Sequence, residues 1–512
     1  MSLIRGVRLV RPGPGPIGTD RAGTVDLRWS DGEQPVITAI EPELERLPGE
    51  PVTEAAGRWA IPGLWDAHVH LGQWALARTR LDLTGSAGPE EVVARVVRHL
   101  ATRPDDGSDA DPPTPLLGQG YRSGPWARQP TVAELDAVVG DRPVALTSGD
   151  AHNGWLNTAA LRLLGLPGRD TPLEENEWFA VIPQLQALTV SPATVLRAYR
   201  EAVADAAAHG VVGVTDFEFA ANVAEWPARM AAGVDRLRIR AASYPDALED
   251  VISRGLRTGD PVDPALPLLR TGPLKIISDG SLNTRTAYCC EPYPGVPLPA
   301  PRGTQNVGPE ELQRLLARAD AHGIEAAVHA IGDAAVADAL DAFAATGARG
   351  SVEHAQLMRR ADHARMAALP VRASVQPAHL LDDRDVTAQL WPDRGDRCFP
   401  LRSLLDAGVP LALGSDAPVS PLDPWLAMAA AVHRSADERP PWNPDEAITA
   451  AEALIASTDG HPMITVGMPA DLVLLDHDPL PRVDGTAEAG AALRAVRVAA
   501  TMVAGRFTHL AL

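Results

Sequence analysis

The sequence predicts an α/β protein: a (β/α)8 TIM barrel, joined by a small composite β-sandwich from both termini and by an inserted α/β domain. Three observations favour this fold. The middle of the chain alternates short apolar strands with alanine-rich helical segments, and both ends consist of strand-like segments. In addition, the gap between the first two strand candidates of the middle region is far too long for a loop. With 512 residues and 45% hydrophobic content, the chain can build a sizeable core.

Both ends of the chain have the character of strands. At the N-terminal end, residues 3–10 and 24–29 alternate partly between apolar and polar side chains, with Pro and Gly between them. At the C-terminal end, residues 470–475 and 495–503 are strand candidates. Since both ends flank a middle of different character, the simplest prediction is one small β-sandwich domain that comprises residues 1–60 plus 465–512.

The middle of the chain contains eight strand candidates, which predict a barrel over residues 61–70 plus 206–464. The candidates lie at residues 61–68, 211–217, 237–244, 273–279, 324–329, 350–355, 371–376 and 411–416. Residues 71–205, after the first strand, are predicted to form an inserted domain or lid with a strand of its own near 143–148. The alternative is that this region supplies a true barrel strand, which would shift the strand numbering by one.

Composition and charge argue against several classes of protein. The net charge of −20 repels phosphate backbones and anionic membranes, so we expect neither a nucleic acid nor a membrane as partner. No apolar stretch is long enough to span a bilayer, and the N-terminus lacks the apolar core of a signal peptide. The cysteines, Cys289, Cys290 and Cys398, form no CxxC pattern and suit a reducing compartment. We therefore expect a cytoplasmic protein that acts on a small molecule.

The first chemical signal is a pair of histidines at the end of the first barrel strand. His68 and His70 are two positions apart, and alternate side chains of a strand point the same way. Both imidazoles can therefore reach one ion. A lone HxH is more often coincidence than a site, but the preceding Pro-Gly and the acidic Asp66 strengthen the hypothesis.

Lys275 is an unusual residue for a buried strand, because a buried ammonium group is costly. One interpretation is an edge position with the amine in solvent, or an ion pair with a carboxylate. The sharper hypothesis places Lys275 inside the barrel, where its desolvated amine takes up CO2. The resulting carbamate resembles a carboxylate and can bridge two ions.

Three further candidates end later strands. His329 and His354 each follow a short apolar stretch about one βα unit apart, so on neighbouring barrel strands they would face the same mouth. Asp416 also ends an apolar strand, where it can be both a metal ligand and the base that takes a proton from water. Singly, each histidine is more often structural, and Asp416 is equally suited to an N-cap or an Asx turn.

Together these residues predict a metal site at the barrel mouth. Its ligands would be His68, His70, Lys275, His329, His354 and Asp416. Imidazole and carboxylate ligands suit Zn2+ or another divalent transition metal, with one position left open for water. Such an ion lowers the pKa of water to about 7 and polarises a scissile carbonyl. Asp416 would then carry the proton to the leaving nitrogen.

Several segments resemble those of a known family. They are IPGLWDAHVH at 61–70, DAHNGWLNTAAL at 150–161, LKIISDGSLNTRTA at 274–287, VHAIGDAAV at 328–336, VEHAQL at 352–357, SVQPAHL at 374–380, LGSDAPVSPLDPW at 413–425 and VGMPADLVLLDHDPL at 466–480. Jointly they resemble the amidohydrolase superfamily, in the branch typified by N-substituted formamide deformylase. The resemblance implies a barrel with a composite β-sandwich, one or two ions per chain on the six residues above, and a carboxylated Lys275.

Five more residues are predicted to contact the substrate: His152, Trp155, Arg285, Gln376 and His379. For His152 and Trp155 the alternative is a strand-to-helix turn in which Trp155 packs. Arg285 would otherwise pair with an acidic surface residue, and Gln376 and His379 would otherwise form hydrogen bonds within a loop. The branch usually reads GSLGSRT where this chain reads GSLNTRT, which leaves substrate preference open.

The chemistry and the resemblance together predict hydrolysis of a non-peptide C–N bond, with an N-formyl or N-acyl amine as the favoured substrate. Hydrolysis of an ester, a lactone or a cyclic amide on the same site is an alternative. A catalytically silent metal-binding protein is another. By analogy with other barrels of this kind, a homodimer is a further expectation.

Overall fold

The structure, a computed structural model, forms two compact units. It describes residues 1–12, 23–102, 115–123, 126–149, 153–189, 191–219, 222–294, 300–435, 439–480, 483 and 485–512. The first unit comprises Met1–Leu71 and Val203–Leu512, and the second comprises Gly72–Ala202. The second unit lies within residues 71–205, the segment that we expect to be an inserted domain.

The N-terminal end of the chain forms short strands of a sheet. They are β1 (Ser2–Leu9), β2 (Val25–Trp29), β3 (Ile37–Glu41), β4 (Val52–Glu54) and β5 (Trp59–Pro62), followed by the first barrel strand, β6 (Leu64–Val69). Strand β1 is central, since it pairs antiparallel with β2 and parallel with β4 and β5. Its apolar residues Leu3, Ile4 and Val7 are fully buried, which anchors this sheet in a core.

The second unit is a five-stranded sheet with helices. Its elements, with the helices that lead into and out of it, are α1 (Leu71–Ala77), β7 (Leu81–Asp82), α2 (Pro89–Thr102), β8 (Leu116–Tyr121), α3 (Val132–Val139), β9 (Val144–Ser148), β10 (Asn153–Leu156), α4 (Thr158–Leu163), β11 (Leu173–Glu174), α5 (Glu175–Thr189) and α6 (Pro192–Ala208). The strand order is β11-β10-β9-β8-β7. Because β9 pairs with β8 and β10, the alternative in which residues near 143–148 form a barrel strand is wrong.

Eight parallel strands and their helices form a barrel in the first unit. After β6, its elements are β12 (Val211–Asp216), α7 (Asn222–Ala231), β13 (Arg238–Ser243), α8 (Leu248–Ser253), β14 (Leu269–Ile277), α9 (Pro309–Asp320), β15 (Ala326–Ala330), α10 (Asp333–Thr346), β16 (Gly350–His354), α11 (Arg360–Ala367), β17 (Val371–Val375), α12 (Leu380–Leu390), α13 (Leu401–Ala407), β18 (Leu411–Leu413), α14 (Pro424–His433) and α15 (Ala450–Ala456). Short 3-10 turns lie at Pro377–His379, Gly395–Arg397 and Pro444–Glu446. The predicted (β/α)8 barrel is confirmed, and each predicted strand overlaps an observed one.

The barrel closes between its first and last strands. The strands follow the order β6-β12-β13-β14-β15-β16-β17-β18, and a parallel bridge between Val69 and Ala417 joins the two ends. Barrel strands are apolar almost throughout because they are covered on both faces, and every residue of β12 is buried. Packing is so close at the start of β16 that a Cβ atom on Gly350 would lie 1.8 Å from the carbonyl oxygen of Ala326. The parallel pairing brings the strand ends that carry the predicted ligands to one mouth.

The C-terminal end of the chain returns to the sheet that the N-terminal end begins. Its elements are β19 (Leu472–Leu475), α16 (Thr486–Arg494), β20 (Val498–Val503) and β21 (Arg506–Leu510). Strand β19 pairs antiparallel with β5, and the full order is β21-β20-β19-β5-β1-β2-β3, with β4 beside β1. Trp29 and Ile37 from one end pack in the same core as Leu472 and Met502 from the other. Both termini therefore build one sheet.

Two further predictions concern membranes and cysteines. Within the described ranges, none of the helices combines the length and the apolar character needed to cross a membrane. The thiols of Cys289, Cys290 and Cys398 are all free. Cys289 and Cys398 are buried, and Cys290 is half-buried.

Candidate metal centre

The six predicted metal ligands lie together at the carboxyl ends of the barrel strands. His68 lies in β6 and His70 directly follows it, His329 lies in β15, His354 ends β16 and Asp416 follows β18, while Lys275 lies in β14. Their side chains form one connected cluster, which we call the histidine cluster, and it includes His379 as described below. Lys275 and His68 are each only 1% exposed, so the cluster is closed to bulk solvent at its base.

His68, His70 and Asp416 form the first possible ligand set. The Oδ1 atom of Asp416 lies 3.4 Å from Nε2 of His68 and 3.6 Å from Nε2 of His70. Their ligand atoms all lie within 4.8 Å of one another. Two donors held by ~2 Å bonds in tetrahedral geometry lie roughly 3.3 Å apart. The spacing of these side chains therefore fits a zinc-like ion.

His354, His379 and Asp416 form a second possible ligand set. The Oδ2 atom of Asp416 lies 3.6 Å from Nε2 of His379, and the rings of His354 and His379 stack with centroids 5.9 Å apart. The ligand atoms of the three residues again lie within 4.8 Å of one another. Nδ1 of His354 is buried and has no hydrogen-bond partner among the described residues. The two sets share Asp416, one carboxylate oxygen facing each set.

Burial sets the protonation of these groups. It lowers the pKa of His68 and His354 well below the ordinary value, and it lowers the pKa of His70 to about 3. These imidazoles are therefore neutral at neutral pH and carry a free lone pair, the form in which histidine binds metal. Burial likewise raises the pKa of Asp416 to about 7, against the attraction of the Lys275 ammonium.

Lys275 lies beside the first ligand set and against an aromatic wall. Its Nζ atom is 3.2 Å from Nε2 of His68 and 4.3 Å from the ring centroid of Phe217. Burial lowers its pKa to about 8, although the charges of Glu353 and Asp416 act in the opposite direction. The lowered pKa increases the fraction of the buried amine that is uncharged and nucleophilic near neutral pH. Lys275 is therefore inside the barrel, where the sharper hypothesis puts it.

Two buried carboxylates accept hydrogen bonds from histidines of the cluster, on the side of each ring away from the candidate metal position. Oε2 of Glu353 accepts a hydrogen bond from Nδ1 of His68 at 2.7 Å, and Oδ1 of Asp279 accepts one from Nδ1 of His329 at 2.9 Å. A proton held on Nδ1 leaves the lone pair on Nε2, so these bonds fix both the tautomer and the ring orientation for metal binding. Ser351 in turn donates to Glu353. Sequence reasoning missed both carboxylates, although each lies in a motif that it singled out.

Asp66 supports the same region through the backbone. Its Oδ1 atom accepts hydrogen bonds from the backbone N–H groups of His68 and Ser415, each at 3.0 Å. Asp66 thus ties β6 to the segment that carries Asp416. Burial raises the pKa of Asp66 to about 6, and these hydrogen bonds oppose that rise.

Aromatic side chains line one side of the centre. The ring of Phe217 meets His68 edge-on, with centroids 4.6 Å apart, and Phe219 stacks on His70 at 5.2 Å. Phe219 also stacks on Tyr244 and is 48% exposed. The sequence analysis did not single out Phe217 and Phe219, because aromatic residues that follow a strand are usually part of the core.

The five residues predicted to contact substrate fall in different surroundings. His152 lies outside the described residues. Trp155 is fully buried in the second unit and its indole N–H donates to the carbonyl of Thr131 at 2.8 Å, which is the packing that the alternative expects. Arg285 is half-buried in the loop after β14, with a φ of +59°. His379 belongs to the histidine cluster.

Gln376 lies behind His68 and is 1% exposed. Its Nε2 atom donates to the carbonyl of Ser374 at 3.2 Å and lies 3.5 Å from Nδ1 of His68. Because Nδ1 of His68 donates to Glu353, it cannot also accept from this amide. Gln376 therefore packs against the ligand in this structure, and its contact with substrate stays a prediction.

The chain is similar to known proteins over most of its length. The model of the "Amidohydrolase family" matches residues 52–509. The chain is 29% identical to N-substituted formamide deformylase of Arthrobacter pascens, with 94% of this chain and 96% of that protein covered, and 27% identical to putative amidohydrolase YtcJ of Bacillus subtilis (strain 168), with 84% and 87% covered. An uncharacterized metal-dependent hydrolase from Pyrococcus horikoshii OT3 superposes with a TM-score of 0.76 at 24% identity, covering 95% of this chain and 99% of that one. Since the family model matches nearly the whole chain, from β4 to β21, this protein belongs to the amidohydrolase family.

Proposed function

We propose that the protein hydrolyses a non-peptide C–N bond in a small molecule, with an N-formyl or N-acyl amine as substrate. Membership of the amidohydrolase family makes it a hydrolase, and the similarity to N-substituted formamide deformylase favours this bond. The observation that carries the proposal is the position of Asp416. Its Oδ1 atom lies 3.4 Å from Nε2 of His68, an imidazole that burial keeps neutral, and its Oδ2 atom lies 3.6 Å from Nε2 of His379.

The donor set suits Zn2+ or a similar divalent ion. His68, His70 and Asp416 would hold one ion. A second ion would lie nearer His354 and His329, whose ring centroids are 4.6 Å apart, with Lys275 as a further ligand. A divalent ion bound there would lower the pKa of a water molecule and polarise the substrate carbonyl. The neutral imidazoles and the buried carboxylate are the nitrogen and oxygen donors that such an ion binds.

Asp416 would act as the general base and then as the acid. Its pKa of about 7 lies close to neutral pH, where a group can both accept and return a proton. The attacking water gives a proton to the carboxylate of Asp416 as its oxygen bonds to the carbonyl carbon. The C–N bond then breaks, the proton passes to the leaving nitrogen, and a carboxylic acid and an amine are released.

Lys275 would be carboxylated in the active protein. Its neutral amine adds to CO2 with loss of one proton, which forms an N–C bond and leaves an anionic carbamate. Nζ lies 3.2 Å from Nε2 of His68, so a carbamate on Lys275 would supply an anionic oxygen ligand beside an ion that His68 holds. The carbamate would also remove a buried positive charge from a site that must accept cations.

The test pairs metal content with activity. We expect the protein purified without chelators to contain divalent metal and to hydrolyse members of a panel of N-formyl and N-acyl amines. We expect Asp416→Asn to retain metal and lose about 100-fold or more in kcat, because general base catalysis contributes roughly 100- to 10,000-fold. Full activity of Asp416→Asn would refute its role as base. Turnover of esters or lactones alone would refute the C–N bond.

A further inference from the structure

We propose that a cavity at the amino-terminal end of the barrel, opposite the metal centre, binds a small organic carboxylate with an apolar body. The cavity encloses about 260 Å³ and is lined by residues at the starts of β6, β12, β13 and β14, by the turn after α15 and by the segment before β19. Ligand pockets commonly enclose roughly 300–1,000 Å³, so this space suits a small ligand. The proposal goes beyond the hydrolysis proposed above and does not depend on it.

The direction of the strands separates this cavity from the metal centre. Arg238 is the first residue of β13 and Arg270 is the second residue of β14, whereas the metal-ligand candidates lie toward the carboxyl ends of their strands. Trp65, near the start of β6, forms part of the wall. A Cβ atom on Gly213 would lie 2.1 Å from its ring, and the guanidinium of Arg240 lies 4.2 Å from the ring centroid. The indole is therefore held in place and gives the cavity a fixed aromatic wall.

The arginine and aspartate side chains that line the cavity leave an excess of one positive charge. Three arginines and two aspartates line it. Two of the arginines are already paired, Arg238 with Asp471 and Arg240 with Asp459. The surplus is notable in a chain whose net charge is −20. A ligand with one negative charge would balance it, whereas a dianion would add negative charge beside the two aspartates.

Arg270 is the arginine that supplies this surplus. It is half-buried, and its guanidinium donates a long hydrogen bond of 3.5 Å to the backbone carbonyl of Gly259. In the described part of the chain, no carboxylate forms an ion pair with it. A guanidinium presents a planar fork of donors that matches the two oxygens of a carboxylate. Arg270 is therefore the side chain that would bind the anionic group.

The remaining walls favour a ligand with a carbon skeleton. They include Val212, Ile239 and Met468, apolar side chains that are almost fully buried. An apolar wall gains from a ligand that replaces water with hydrocarbon surface. A carboxylate with a compact hydrocarbon body satisfies both the charge and the walls, whereas inorganic phosphate would satisfy neither the single charge nor the apolar surface.

The test uses benzoate as the probe and benzamide as its uncharged counterpart of similar shape. Isothermal titration calorimetry on the full-length protein, purified with its metal, measures the binding of each. We expect a dissociation constant of about 1 mM or lower for benzoate and no saturable binding of benzamide. Arg270→Gln should weaken benzoate binding about tenfold or more, because a hydrogen bond between charged partners is lost.

Two more variants make the result specific to the cavity. Arg349→Gln is the matched control, since Arg349 is an exposed arginine directly before β16, at the same end of the barrel but outside the cavity lining. It should bind benzoate as wild type does. His461→Trp places a larger ring in the cavity from the turn after α15, and it should also lose benzoate binding. Near-UV circular dichroism reports folding, and if one of the two cavity variants is not native the other decides.

The outcomes separate this site from the metal centre. Benzoate affinity equal to that of wild type in the natively folded cavity variants would overturn the proposal and move the ligand elsewhere, including to the metal centre. An absence of benzoate binding in wild type, equal binding of benzamide, or tighter binding of inorganic phosphate would overturn it as well. Because binding is measured without turnover, each of these failures leaves the proposed hydrolysis standing.

Discussion

The bond between Glu353 and His68 gives the sharpest prediction about how the protein tunes its metal centre. The two side chains are each about 1% exposed, and Oε2 of Glu353 lies 2.7 Å from Nδ1 of His68. Glu353→Gln keeps the shape and one acceptor oxygen but removes the charge. The His68 ring therefore keeps its position, but its hydrogen bond to the side chain at position 353 weakens because the acceptor is no longer charged.

The size of the effect follows from the type of hydrogen bond. A bond to a charged acceptor contributes about 1.5–3 kcal/mol, and a neutral one contributes about 0.5–1.5 kcal/mol. The difference of about 1–1.5 kcal/mol corresponds to roughly a tenfold loss of metal affinity. This value lies at the lower end of the roughly 10- to 100-fold effects that outer carboxylates have on metal sites. We expect Glu353→Ala, which removes the acceptor altogether, to lie at the upper end.

Competition with a chromophoric chelator measures the Zn2+ dissociation constants, and thermal unfolding of the metal-free proteins measures stability separately. Glu50→Gln is the matched control, because Glu50 is also a buried glutamate, 3% exposed, but belongs to the terminal sheet, where Arg28 donates to it at 2.7 Å. Glu50→Gln should lose stability and keep its metal affinity. Unchanged Zn2+ affinity in a natively folded Glu353→Gln would refute the reasoning.

Three further predictions test the protonation and packing described above. Because the pKa of Lys275 is about 8, the carbamate detected by native mass spectrometry at fixed CO2 pressure should increase from pH 6 to pH 9, and a pH-independent signal would contradict a titrating amine. The Arg28 hydrogen bond holds the pKa of Glu50 below its ordinary value of 4.5, so its stabilising effect is fully present above that pH and is lost as the pH falls through the lowered value. The difference in unfolding free energy between wild type and Glu50→Gln should therefore shrink in acid, and a constant difference in denaturant titrations would argue against the ion pair. Gly350→Ala should cost about 3 kcal/mol or more because its Cβ meets the Ala326 carbonyl, and a melting temperature equal to that of wild type would show that the strands can separate.

The barrel and most of the metal centre can be predicted from the sequence because each signal is local. An apolar stretch that ends in histidine or aspartate defines both a strand and the position of a ligand at its end. The pair His68 and His70 needs only the alternation of a strand. In the same way, the strand-like ends of the chain suffice to predict the sheet that they share.

The residues that the sequence could not reveal depend on contacts between strands or on unusual backbone angles. Glu353 and His354 are consecutive, and in a regular strand they would face opposite sides. A φ of +68° at His354 breaks this alternation, so both side chains reach His68. The position of His379, whose Nε2 lies 3.6 Å from Oδ2 of Asp416, follows from a turn that the sequence does not distinguish from an ordinary loop.

The first ligand set spans the closure of the barrel, which links metal binding to folding. His68 and His70 lie at and just beyond the end of the first strand, and Asp416 follows the last strand. Asp66 and Ser415, which are hydrogen-bonded across the same junction, are 349 positions apart in the sequence. Backbone hydrogen bonds from Asp416 to His68 at 2.7 Å and from His70 to Ala417 at 2.9 Å complete the join. An ion that binds only the closed form stabilises it by about 2.7 kcal/mol at 100 times its dissociation constant. Depletion of metal should therefore slow the closure of the barrel, which is the folding step that joins the residues farthest apart in the sequence. It should also lower the cellular amount of the protein before it lowers the activity of each molecule.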